Sequence, residues 1–123
     1  MAKLKALVVD DDKIFMEKLG EFLKIGFNCD VTLTSNGSNA ISKLDHDDYH
    51  ILLLDLKMPG VDGFTVLAHA KKVNPRIIVI AISGIVDPVI TKRVEEAGAW
   101  YMVKPIQLKA LEFVLKDLIR KNQ

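Results

Sequence analysis

Ile51-Leu52-Leu53-Leu54-Asp55 is a run of four aliphatic residues that stops on an acid. It does not alternate apolar with polar positions. A strand built from it needs cover on both faces, as the strands of a parallel sheet have. Three further short apolar runs share this character, at residues 4–9, 77–82 and 100–103. A weaker strand is read over residues 29–34, which are rich in β-branched side chains. Helical patterns fill the intervals. Ile14, Leu19, Phe22 and Leu23 form one apolar stripe, with Gly26 as its stop signal. Residues 38–44 carry Ala40, Ile41 and Leu44. Asp62 is placed to cap a helix over residues 63–73, which Asn74-Pro75 closes. Asp87-Pro88 joins a capping residue to a first-turn proline ahead of residues 89–97, with Gly98 beyond their end. Leu108, Leu111, Leu115, Leu118 and Ile119 recur at helical spacing, and Lys116, Arg120 and Lys121 complement that helix's C-terminal dipole. Strand and helix thus alternate five times, the pattern of a parallel sheet with helices on both faces.

The chain has 123 residues, half of them hydrophobic, which suits one compact domain with a sizeable core. No linker or internal repeat divides it, so residues 1–123 are read as a single domain. The formal net charge is +1, which gives no electrostatic reason to expect nucleic acid or an anionic membrane as a partner. Met1-Ala2-Lys3-Leu4-Lys5 leads into an apolar run too short for a signal peptide, and no run is long enough to span a bilayer. A cytoplasmic location is expected. Cys29, the single cysteine, is read as a small buried hydrophobe. His46, His50 and His69 lack metal-ligand spacing and are read as surface or boundary residues.

In open parallel sheets, chemistry sits beyond the carboxyl ends of the strands. The first strand ends in Asp10-Asp11-Asp12, the third in Asp55, the fourth in Ser83-Gly84 and the fifth in Lys104-Pro105. Taken alone, the acidic triplet would also suit a solvated turn that caps the next helix. Together the four ends offer a coherent chemistry. Clustered carboxylates repel one another unless a cation joins them, and a hard divalent ion such as Mg²⁺ prefers oxygen ligands. A carboxylate can attack phosphorus as a nucleophile. The developing phosphoryl charge then needs partners, which the ion, the Lys104 ammonium, the Ser83 hydroxyl and the Gly84 N–H can supply.

Four stretches carry a resemblance to a known family. They are Leu7-Val8-Val9-Asp10-Asp11, Leu53-Leu54-Asp55-Leu56-Lys57-Met58-Pro59-Gly60-Val61-Asp62-Gly63, Ala81-Ile82-Ser83-Gly84, and Ala97-Gly98-Ala99-Trp100-Tyr101-Met102-Val103-Lys104-Pro105. In this order and at these strand ends, the chain resembles the receiver domains of two-component response regulators over essentially its whole length. The resemblance implies a flavodoxin-like, doubly wound α/β fold, with five parallel strands in the order 2-1-3-4-5 and five helices. It implies that Asp55 is the phosphoacceptor. Asp10, Asp11, Asp55 and the Lys57 carbonyl would hold Mg²⁺, Asp11 more directly than Asp10, with Asp12 outside the set. Ser83 matches the switch hydroxyl, Tyr101 the switch aromatic and Lys104 the phosphate-contacting lysine, whose bond to Pro105 is expected to be cis. Ile85 falls at a position that influences how long the phosphoryl group survives; an apolar residue there favours a longer-lived state.

The implied donor is a phosphohistidine on a sensor histidine kinase or histidine phosphotransfer protein. The implied output is a changed helix 4–strand 5–helix 5 surface, with a phosphorylation-dependent homodimer as one use of it. The domain would assist its own phosphorylation without being a turnover enzyme. Two other readings are weaker. Aspartyl-phosphate phosphatases of the common kind carry a second Asp two residues after the nucleophile, where this chain has Lys57. A module that works without phosphate would not need the complete acid, hydroxyl and lysine set.

Overall fold

The computed structural model describes residues 3–58 and 60–122. Met1 and Ala2 of the leading segment, Pro59 of the Met58-Pro59-Gly60 turn and Gln123 lie outside the described residues. Five strands alternate with five helices: β1 (Lys5–Val9), α1 (Lys13–Phe27), β2 (Asp30–Thr34), α2 (Gly37–His46), β3 (Ile51–Asp55), α3 (Gly63–Val73), β4 (Ile78–Ser83), α4 (Pro88–Glu96), β5 (Trp100–Val103) and α5 (Leu108–Lys121). All strand pairs are parallel, and the sheet order is β2-β1-β3-β4-β5.

The continuous apolar runs are buried on both faces, as that order requires. Ala6, Val8, Ile51, Leu53, Ile80 and Ile82 pack with Leu19 and Leu23 of α1 and with Leu111 and Leu115 of α5. Leu7, Val9, Leu52, Leu54, Val79 and Ala81 pack on the other face with α2, α3 and α4 through Leu44, Leu67 and Val94. Leu52, Leu53 and Leu54 have no solvent exposure. Each such side chain contributes roughly 1.5–3 kcal/mol by leaving water, so the central strands are the most firmly held part of the molecule.

The caps follow the side-chain chemistry. Asp12, Asn36, Asp62 and Asp87 each accept a hydrogen bond from a first-turn N–H of α1, α2, α3 and α4 respectively. Two expectations about α1 need correction. Ile14 is 69% exposed, and the buried stripe is Met16, Leu19, Gly20 and Leu23, with Phe22 packed at its edge. The helix also runs past Gly26 to Phe27 and ends on Asn28, which adopts the left-handed conformation at φ 54°. Asn tolerates that conformation better than most residues, and its N–H satisfies the Leu23 and Lys24 carbonyls. Cys29 is buried as expected, and burial pushes its thiol pKa up. His50 accepts the Lys5 N–H, and His69 pairs with Asp45 at 2.7 Å, both at the surface. No described helix is long and apolar enough to cross a membrane.

Candidate functional site

Strand register brings the polar ends together. Val9 lies level with Leu54, so Asp10 and Asp55 are side by side at the ends of adjacent strands. Asp55 lies level with Ile82, which places Ser83 one residue beyond it on the next strand. Ser83 lies level with Val103, and the Lys104 N–H continues the pairing to Ser83 O at 2.8 Å. The chain crosses from β1 outward to β2 on one side and from β3 to β4 on the other. The crevice between β1 and β3 is therefore the topological switch point, where ligands of such sheets bind.

One carboxylate oxygen from each of Asp10, Asp11 and Asp55 lies within 4.8 Å of the others. Asp10 and Asp55 are buried, while Asp11 is exposed. The Lys104 ammonium stands 3.3 Å from Asp10 Oδ2 and 3.4 Å from Asp55 Oδ2. The approach to Asp10 lies off hydrogen-bond geometry, so Asp10 Oδ2 has a charge contact without a hydrogen bond. Asp10 Oδ1 accepts the Asp12 N–H at 2.8 Å, and Asp55 Oδ1 accepts the Lys57 N–H at 2.9 Å.

Burial pushes the Asp10 carboxyl above its ordinary pKa, and repulsion from Asp55 adds to this against the pull of the Asp12 N–H and Lys104. Burial alone would lower the Lys104 pKa, but Asp10 and Asp55 together outweigh it and hold it above its usual value. Three clustered carboxylates, two of them against the one ammonium, are two charges short of balance. A divalent cation with oxygen ligands fits that deficit, and Asp10 Oδ2 is a buried acceptor awaiting a partner.

Ser83 is buried, and its Oγ accepts the Ile85 N–H at 3.2 Å. Tyr101 is half-buried, stands apart from the acids, and donates its hydroxyl to the Ile85 carbonyl. Lys57 and Gly84 lie on the exposed loops directly after Asp55 and Ser83. The Lys104-Pro105 bond is cis. Trp100, next to Tyr101, is 48% exposed.

Three further features shape the site, two of them without a signal in the sequence. The Phe15 ring lies 4.8 Å from the Lys104 ammonium, a cation–π contact that helps hold it over the pocket. Asp12, outside the acid cluster, both caps α1 and fixes Asp10 through its N–H. At Gly37 an added Cβ would lie 2.8 Å from Val61 Cβ and 2.9 Å from Val61 O, so the α2 start rests directly on the loop after Asp55. The triplet's capping role was visible as an alternative; the other two depend on tertiary placement.

A family model described as "Response regulator receiver domain" matches residues 6–116. The chain is 33% identical over 121 residues to a cyclic di-GMP phosphodiesterase from Thermotoga maritima, covering 97% of this chain and 32% of that protein. It is 35% identical over 122 residues to a two-component response regulator from Oryza sativa subsp. japonica, covering 96% of this chain and 19% of that protein. The chain therefore spans about a third or less of these two relatives. Among solved structures, the BeF3-activated DrrB receiver domain superposes with a TM-score of 0.87 at 27% identity, covering 97% of this chain and 99% of that one. A receiver domain protein from Methanospirillum hungatei reaches 0.92 at 22% identity over 98% and 97% of the two chains, a likeness of fold. This chain belongs to the response regulator receiver domain family, and its fold and acidic pocket are those of a phosphoacceptor domain in two-component signalling.

Proposed function

We propose that Asp55 accepts a phosphoryl group from a phosphohistidine and that the modified domain signals through α4, β5 and α5. The observation that carries this is the clustering of Asp10, Asp11 and Asp55, with the Lys104 ammonium set against Asp10 and Asp55. Asp55 Oδ1 is anchored by the Lys57 N–H, which leaves Oδ2, beside Lys104, to attack. The new bond joins that oxygen to phosphorus. The bond from phosphorus to the donor's ring nitrogen breaks, and the imidazole keeps the electron pair. Lys104 meets one phosphoryl oxygen, and the Ser83 hydroxyl with the Gly84 N–H meets another. Asp10, Asp11, Asp55 and the Lys57 carbonyl would hold Mg²⁺, which when bound neutralises charge and polarises the phosphoryl group.

The Ser83 hydroxyl must turn to reach the phosphoryl group, and so gives up the Ile85 N–H. The Ile85 carbonyl is also what holds the Tyr101 hydroxyl. Both ends of the switch therefore meet at one residue. Releasing it moves the loop before α4 and frees Tyr101, which shifts the balance between two states of the α4–β5–α5 surface. Trp100 on β5 and Phe113 on α5, the latter 77% exposed, supply apolar contact area for a partner or a second phosphorylated copy.

The reading extends to residues 1–123 as one cytoplasmic receiver domain, with a sensor histidine kinase or histidine phosphotransfer protein as donor. It makes the domain a phosphoacceptor that assists its own modification and reversal. Transfer from a labelled phosphohistidine domain in Mg²⁺ should label the wild-type chain and leave Asp55→Asn unlabelled. Equal labelling of both would reject the assignment.

A further inference from the structure

At the opposite end of the sheet from Asp55, a cleft of about 350 Å³ opens among α3, the starts of β4 and β5, and α5. Ile77 and Val79 form its buried floor, and Lys71, Arg76, Lys121 and Trp100 line it nearer solvent. No carboxylate is among the described residues that line it. Its size is near the lower end for ligand clefts, roughly 300–1,000 Å³.

The cations here are unusual in how they are held. Lys121 is paired with Asp117 at 3.0 Å. Among the described residues, neither Lys71 nor Arg76 forms an ion pair. Each is tethered to a backbone carbonyl instead: Lys71 Nζ donates to Ile77 O at 2.7 Å, and the Arg76 guanidinium donates to Asn122 O. The Asn122 side-chain amide returns a bond to Arg76 O at 2.8 Å, which fixes the arrangement. Among the described residues, both charges are thus oriented without being neutralised. Lys71 is partly buried, and that burial lowers its pKa. A desolvated cation with no counter-charge is costly, and an anion in the cleft would offset that cost.

We propose that this cleft binds a small aromatic anion, whose charge is met by Lys71 and Arg76 and whose ring lies against Trp100. The aliphatic floor and aromatic wall favour a flat apolar body over a bare inorganic ion. The site shares no residue with the acidic pocket, but Trp100 also belongs to the surface proposed to signal, so the cleft is tested in the unphosphorylated chain.

Trp100 is the only tryptophan in the sequence, so its emission reports on the cleft directly. Titrating phenyl phosphate into the full chain should change that emission saturably. Inorganic phosphate should compete roughly tenfold more weakly, for want of the ring contact, and uncharged benzyl alcohol should not compete measurably. Arg76→Gln and Lys71→Gln should each weaken binding roughly tenfold, the loss of one charge-assisted contact. Asp55→Asn should bind like wild type. Arg76 is exposed, so its variant tests the site even where Lys71→Gln disturbs folding. Absence of a saturable change with phenyl phosphate, or an unshifted curve in Arg76→Gln, overturns the proposal.

Discussion

Burial takes Asp10 out of water while its Oδ2 receives no hydrogen bond and Asp55 lies alongside. Burial and Asp55 disfavour that carboxylate's charge more than Lys104 and the Asp12 N–H support it, so its charge opposes folding in the metal-free protein. Asp10→Asn keeps the shape and removes the charge. It should raise the metal-free stability by roughly 1 kcal/mol, the scale of one carboxylate repulsion. It should also abolish the Mg²⁺-dependent rise in melting temperature that the wild type gains by mass action. A variant that is less stable without metal, yet still stabilised by Mg²⁺, would contradict this view of Asp10. Ile85 is 45% exposed on the loop beside Ser83, and the role proposed for it is that of an apolar neighbour hindering an attacking water. Ile85→Glu should shorten the half-life of the phosphorylated form; an unchanged decay rate measured by mass spectrometry counts against the role.

Between elements, the tightest constraints lie where α2 and α3 meet the loop after β3. Gly37 leaves no room for a Cβ against Val61, and Gly63 none against the Leu56 backbone, where an added Cβ would stand 2.6 Å from Leu56 Cα. These two glycines clamp the segment that carries Lys57 and its carbonyl. Gly37→Ala must push Val61 away, at a cost of about 1–3 kcal/mol if the backbone yields. The displacement should weaken Mg²⁺ binding by calorimetry and slow phosphorylation, while the far-ultraviolet circular dichroism stays native. An unchanged Mg²⁺ affinity would show that the loop holds its place without this contact.

The same scale shows what sequence patterns carry. The strands were legible because buried parallel strands are continuously apolar, and their ends because each run stops on a polar residue. Asp62 and Asp87 were legible as caps for the same local reason. The end of α1 was not, since Gly26 and Asn28 both suit a helix terminus and packing chose Asn28. Ile14 was misplaced because a short stripe can be drawn through more than one set of positions, and the set with Met16 and Gly20 faces the sheet. Gly37 against Val61 and Phe15 beside Lys104 are encounters between distant segments, which no local pattern announces.

For the whole molecule, the doubly wound order turns four separate strand ends into one pocket. The register that pairs Val9 with Leu54 and Asp55 with Ile82 sets the spacing of the acids, the hydroxyl and the ammonium. The outer end of the same sheet places Ile85 and Tyr101 where a change in the pocket can reach α4 and β5. The function proposed for this arrangement is to bind one cation and take up one phosphoryl group at Asp55, with the α4–β5–α5 surface answering to that charge. Intact-mass measurement after exposure to a small acyl phosphate tests this most directly. The account predicts one added phosphoryl mass in the wild type with Mg²⁺, little without the ion, and none in Asp55→Asn. The same mass added to Asp55→Asn at the wild-type level, or an addition indifferent to Mg²⁺, would contradict it.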